Sequence, residues 1–277
     1  MNIILYIYIF LIGISCGSFF TLAIHRIPRN QDITHTRSYC PKCNHKLAFW
    51  DMIPMFSFLF LRGKCRYCKN KIAPKYFFIE LLTGIAFVLF AYSLKLQIFN
   101  IYFVCGLLYI AGLFVISGID KEKHEIIMGG VLYLTVIQTI YIIYLYIIES
   151  TNVYRYVIYL AILAILILAD TIHFRKKLKN NYALENLILI DLMLMFTYEI
   201  CTILTVEGAL LVIAIKSIID TIINKKKQIK KEKTKTIPIA FYLCILNIIT
   251  LIVTNILCFY RWLIWVKKRK YYITTKE

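Results

Sequence analysis

Charge is scarce in this chain. Of 277 residues only 17% are Asp, Glu, Lys or Arg, against about 25% in ordinary soluble domains, while 60% are apolar and the mean hydropathy is +0.71. That balance excludes a soluble globule of ordinary composition and predicts a polytopic membrane protein. Acids are scarcest, 15 against 33 bases, for a net charge of +18. A surplus of this size can mark a nucleic-acid binder. Here the lysines and arginines stand in short clusters between long apolar runs, the pattern that orients membrane helices, so no nucleic-acid partner is expected. Met1 to Ile24 lacks the basic leading region and small-residue cleavage site of a removable signal peptide. It is long enough to span the bilayer and is expected to remain as a helix. No internal repeat is visible, and the only low-complexity stretch, the lysine run at 225–235, reads as a loop facing solvent or lipid headgroups.

Apolar runs of about twenty residues, enough for ~30 Å of hydrocarbon, lie at roughly 3–24, 76–95, 98–118, 126–148, 153–172, 186–205, 207–223 and 237–258. They predict an all-α protein of about eight transmembrane helices, with turns near 96, 150 and 206. If the 25–75 loop is cytoplasmic, so are 119–125, 173–185 and 224–236, and the last two carry Arg175, Lys176, Lys177, Lys179 and the lysines from Lys225 to Lys235. The opposite turns are nearly uncharged, in agreement with the positive-inside rule. The tail disagrees, since eight crossings return it to the outside with Lys267, Lys268, Arg269 and Lys270. Either 259–266, with Trp262 and Trp265, lies in the interface or a helix is miscounted.

Four of the nine cysteines form two pairs, Cys40-Pro-Lys-Cys43 and Cys65-Arg-Tyr-Cys68, separated by twenty-one residues. Two C-x-x-C turns at that separation can aim four thiolates at one tetrahedral zinc. The alternatives are two disulfides or four unrelated thiols. Disulfides fit poorly among Arg37, Lys42, Lys46, Arg62, Lys64, Arg66, Lys69, Lys71 and Lys75, which mark the segment as cytoplasmic and reducing. Cys16, Cys105, Cys201, Cys244 and Cys258 lie singly in apolar runs and read as small hydrophobes. Between the pairs, Trp50, Ile53, Met55, Phe56, Phe58, Leu59, Phe60 and Leu61 are too apolar for a solvated loop and are expected to pack on the membrane face. The domains expected are a first helix over 1–24, a four-cysteine domain over 25–75 and an intramembrane domain over 76–277.

The opening helix ends Gly17-Ser18-Phe19, where Gly17 and Ser18 allow close helix contact, and Arg26-Ile27-Pro28 stops it. Next come Trp50-Asp51-Met52-Ile53-Pro54 and Arg62-Gly63-Lys64-Cys65-Arg66-Tyr67-Cys68. From Gly17 to Gly84 this block closely resembles the N-terminal region of the bacterial prepilin peptidases, the type IV leader peptidases. Thr236-Ile237-Pro238, ahead of the last helix, is similar to the family's I-P segment there. The resemblance implies an intramembrane aspartyl endopeptidase in the bacterial inner membrane with its active site facing the cytoplasm. It would cut the basic leader from type IV prepilins or pseudopilins. It also implies methylation of the new N-terminus with S-adenosylmethionine, although no S-adenosylmethionine motif is visible.

Such chemistry needs two neighbouring carboxylates, one ionised and one protonated. Asp120, in Asp120-Lys-Glu-Lys-His-Glu-Ile-Ile-Met128, resembles the family's first aspartate, with Ile127 where a proline is usual. The G-x-G-D motif of the second aspartate is missing. Its place falls in Asn180-Asn-Tyr-Ala-Leu-Glu-Asn-Leu-Ile-Leu-Ile-Asp191, where Glu185 stands sixty-five residues after Asp120. Glu185 is the expected partner, and Asp191, six residues deeper, and Asp170 are the alternatives. Glu80, Glu199 and Asp220 read as structural polar contacts, and His25, His35 and His45 as surface residues. Two other readings stay open: a non-proteolytic scaffold that binds pilins or assembly proteins, favoured by the missing motif, and a transporter, for which no paired broken helices are seen.

Overall fold

The structure, a computed structural model, describes residues 2–35, 37–40, 42–95, 100–148, 154–175, 182–197, 199–227 and 237–274. Its helices are α1 (Asn2–Arg26), the short α2 (Phe56–Phe60), α3 (Lys75–Ser93), α4 (Ile101–Lys123), α5 (Met128–Ile148), α6 (Tyr154–Arg175), α7 (Tyr182–Phe196), α8 (Glu199–Lys227) and α9 (Ile239–Thr274). No strand occurs among the described residues, so the chain is all-α, and eight of these helices are long. Seven of the eight are long and apolar enough to cross a membrane. The exception is α7, whose 15 residues reach only about 22 Å at 1.5 Å per residue. It lies among α5, α6, α8 and α9, with Ile188, Leu189, Leu192 and Met193 buried.

Two helix boundaries differ from expectation. The turn expected at 206 is continuous helix within α8, and the break falls at Thr197 instead. The N–H of Thr197 and its hydroxyl both donate to the Met193 carbonyl, 2.9 and 2.7 Å away, which closes α7. Glu199 then opens α8, where an acid suits the helix N-terminus. Glu207, beside the expected turn, is an exposed residue of α8. Asp120 was expected just beyond its helix. It lies inside the last turn of α4, which runs on to Lys123 and is closed by His124 at φ 57°, its N–H bonding the Asp120 carbonyl at 2.9 Å. The backbone of α9 continues unbroken through 259–266. The turns expected near 96 and 150, and residues 176–181 and 228–236 of the two basic loops, lie outside the described residues.

The centre of the bundle is α4, against which α1, α3, α5 and α9 pack. Tyr109 of α4 is wholly buried, stacks on Phe196 at 4.3 Å between ring centroids and donates its hydroxyl to Asn247 of α9 at 2.8 Å. Inside a bilayer such a hydroxyl has no water to turn to, so the asparagine is its needed partner. Beside this core, α1 lies tightly along α3. A Cβ on Gly17 would stand 2.8 Å from the Glu80 Cα, and one on Gly13 2.8 Å from the Gly84 Cα, so only glycine permits this approach.

Candidate active site and metal centre

Each cysteine pair sits in the same local turn. In the first, the Cys40 N–H bonds the His45 carbonyl and Asn44 returns to the Cys40 carbonyl, 3.0 and 2.8 Å. In the second, Cys65 and Asn70 and then Lys69 and Cys65 repeat both bonds at 2.9 and 3.0 Å. The fifth residue of each turn, Asn44 or Lys69, is left-handed at φ 56° and 58°. Isolated bridges, Tyr39 to Lys46 and Lys64 to Lys71, close the two turns, and His45 stacks on Tyr67 at 3.6 Å across them.

The result is a group of four sulfurs all within 4.8 Å of one another, with Cys40 and Cys68 Sγ 3.8 Å apart. A tetrahedral ion with ~2.3 Å bonds to sulfur sets its ligands about 3.8 Å apart, so the set fits one metal ion. All four thiols are free. The Asn70 backbone N–H beside Cys68 lowers that thiol to about 7, toward the thiolate a metal requires.

The cysteine module is fixed to the bundle through α3. Glu80, buried near the start of α3, accepts the Met55 N–H at 2.6 Å and a bond from the Ser18 hydroxyl of α1. Met55 is held at φ 60°. Asp51 pairs with Arg66 at 2.6 Å, and Phe58 stacks on Phe77 at 5.3 Å. Phe49, Trp50, Leu59 and Phe60 remain exposed on the module. Between it and helices α1 and α3 lies a cavity of about 760 Å³, walled by Phe19, Arg26, Asp51, Phe58, Tyr76 and Glu80 among others. His25, His35 and His45 are exposed, Glu199 pairs with Arg155 at 3.2 Å, and Asp220 is exposed on α8.

At the same end of the bundle, the wholly buried Asp120 is held by donors from two other helices. The Tyr182 hydroxyl donates to its Oδ1 at 2.6 Å, and the Phe241 N–H to its Oδ2 at 2.7 Å. The N–H groups of Ile239 and Ala240 donate to the Tyr182 oxygen at 2.7 and 3.3 Å. The first N–H groups of α9, which a helix cannot satisfy within itself, are thus capped from across the bundle by an aspartate and a tyrosine. Pro238 marks the start of that helix and disfavours helical backbone at Ile237 before it.

Glu185, one turn beyond Tyr182 and so on nearly the same face of α7, is buried and accepts the Ile126 N–H at 3.0 Å. The charges of Asp170, Glu125 and Asp120 all reach it. Asp120 and Glu185 therefore share one buried neighbourhood, while no direct hydrogen bond joins them among the described residues. Asp191 is buried deeper on α7, its Oδ2 without a hydrogen-bond partner among the described residues, and Asp170 is half-buried on α6. Tyr182 was not singled out from the sequence, and the start of α9 was noted only for its Ile237-Pro238 segment. The only signal was the tyrosine's position three residues before Glu185. Chemically, a buried carboxylate set among fixed donors, with a second carboxyl close by, can hold one ionised and one protonated acid.

Residues 11–94 match the family model described as Bacterial Peptidase A24 N-terminal domain. Among curated proteins, the chain is 43% identical over 81 residues to the "Prepilin leader peptidase/N-methyltransferase" of Myxococcus xanthus, covering 29% of this chain and 24% of that protein. To the protein of the same name in Klebsiella pneumoniae it is 36% identical over 123 residues, 42% and 53% of the two chains. To that of Vibrio cholerae it is 40% identical over 87 residues, 27% and 34%. The matches thus span between about a quarter and about half the length of these relatives. No solved structure matches the chain.

Proposed function

We propose that the chain is an intramembrane aspartyl endopeptidase that removes the leader from type IV prepilins or pseudopilins, because its residues 11–94 match the Bacterial Peptidase A24 N-terminal domain and the relatives it resembles are named prepilin leader peptidases. The family-model match ends at residue 94, before Asp120, so the catalytic part of this reading rests on the site itself. The observation that carries it is the wholly buried Asp120, gripped by Tyr182 and the start of α9, with Glu185 within electrostatic reach. In the proposed reaction the ionised acid of the pair takes a proton from water as the water oxygen attacks the scissile carbonyl. The protonated acid gives its proton to the amine as the C–N bond breaks. The reading places the cysteine domain at 25–75 and the peptidase domain at 76–277, in the bacterial inner membrane with the site facing the cytoplasm. Recognition would rest on the substrate's apolar helix lying beside those of the enzyme, since basic loops do not attract a basic leader.

Cys40, Cys43, Cys65 and Cys68 would hold a zinc ion as a structural crosslink. The cavity between the module and α1 and α3 lies within the ~300–1,000 Å³ range of small-molecule sites. Glu80 and Asp51 could face the positive sulfonium of S-adenosylmethionine, and Phe19, Phe58 and Tyr76 its aromatic base. That cofactor would supply the methyl group for the N-methyltransferase activity in the relatives' names. The absent G-x-G-D motif favours a second reading, a non-proteolytic scaffold for pilins. Purified protein in liposomes, incubated with a pilin precursor, separates the two: the peptidase yields a shortened pilin, and the scaffold binds the precursor and leaves it intact.

A further inference from the structure

In the family motif the residue three before the second acid is glycine; in this chain it is Tyr182. A tyrosine there adds a hydroxyl beside the first acid, and the surrounding hydrogen bonds leave that hydroxyl one role. Its oxygen already accepts from Ile239 and Ala240, so its hydrogen points to Asp120 Oδ1, while the Phe241 N–H points to Oδ2. Both oxygens of Asp120 are therefore acceptors, the pattern of an ionised carboxylate, and the start of α9 adds its positive end. Among the described residues Glu185 accepts the Ile126 N–H, and the charges of Asp170, Glu125 and Asp120 reach it. Among the described residues, the other titratable or charged groups about Asp120 are His124 on its own helix and Cys244 on α9. Lys121 lies 4.6 Å over the Phe241 ring, and Glu122 is taken up by Lys75 and Arg29.

The geometry points to Tyr182 as a positioning residue that holds Asp120 as the carboxylate of the pair and leaves the proton on Glu185. The inference rests on the peptidase reading and adds which acid is the base. Environments that push two acids apart in this way are how such pairs divide their roles.

Infrared difference spectra of the full-length protein at neutral pH test it without any substrate. Asp120→Asn should remove a carboxylate band from the wild type, and in a Tyr182→Phe background the same substitution should remove a carboxylic-acid carbonyl band. In the cleavage assay Tyr182→Phe, which keeps the ring, should lower kcat about ten- to a hundredfold, the value of one hydrogen bond to a charged group, with KM within about twofold. Loss of an acid carbonyl band from the wild type on Asp120→Asn would overturn the inference, as would a Tyr182→Phe enzyme with unchanged kcat. Should wild-type protein cleave no precursor, the peptidase reading fails, and the infrared result still decides what Tyr182 does to Asp120.

Discussion

Gly17→Ala probes how closely α1 must sit on α3. The new Cβ would stand 2.8 Å from the Glu80 Cα and 3.1 and 3.2 Å from Oγ1 and Cβ of Thr83. Carbon atoms in contact rest about 3.5–4.0 Å apart. The nearest atom is backbone, so no rotamer relieves the clash and the two helices must part by up to about 1 Å. Overpacking of this kind costs about 1–3 kcal/mol, while alanine's better helix propensity returns about 1 kcal/mol. Gly208→Ala is the matched control. That glycine is also inside a helix, and its Cβ would meet only Leu246 Cδ1 at an ordinary 3.6 Å. Propensity cancels between the two variants, so their difference isolates the clash. At roughly 2–4 °C per kcal/mol, Gly17→Ala should melt about 2–12 °C below Gly208→Ala when unfolding is followed in detergent. The Ser18–Glu80–Met55 linkage would be strained in the same variant, whereas metal content should hold, since the four thiolates come from the module alone. Equal melting temperatures for the two variants would refute the tight α1–α3 contact.

Metal analysis of reduced, chelator-free protein should find one zinc per chain, and Cys40→Ser or Cys65→Ser should lower it; a stoichiometry near zero, or unchanged content in both variants, would count against the site. Single cysteines at positions 122 and 230 of a cysteine-depleted variant should resist an impermeant thiol reagent applied outside intact cells, and labelling of either would sink the proposed topology. Asp191→Asn should leave more cleavage than Glu185→Gln does, because Asp191 lies deeper on α7, whereas Glu185 is within electrostatic reach of Asp120. The reverse ranking would move the second acid to Asp191.

The eight long helices were legible because lipid-facing and core-facing residues are alike apolar, so each run stands out in the sequence. That same uniformity hid the break at Thr197. The run from 186 to 205 continues through it, and the closing bonds to Met193 involve a single threonine. The cysteine group was legible from spacing alone, because each pair makes its own turn locally. Asp120 stood out through its motif, whereas its partners did not. Tyr182 is 62 residues away and Phe241 121, and only the packing of α4, α7 and α9 brings them to it. Hydrophobic periodicity carries no record of backbone N–H groups at the start of a distant helix. Glu80 was read as a contact between helices. It does meet Ser18 of α1, and it also holds the backbone of the cysteine module at Met55.

The most direct test of the central claim compares wild type, Asp120→Asn and Glu185→Gln on one pilin precursor, with products identified by mass spectrometry. Each substitution nearly keeps the side chain's volume while removing its titratable proton, although the amide of Asp120→Asn can accept from only one of the two donors that Asp120 accepts from. The account predicts leader removal by the wild type and none by either variant at equal membrane insertion and zinc content. Glu185→Asp, which restores the shorter acid, should retain or raise activity. Normal cleavage by Asp120→Asn would contradict the aspartyl mechanism, and normal cleavage by Glu185→Gln would contradict the pairing.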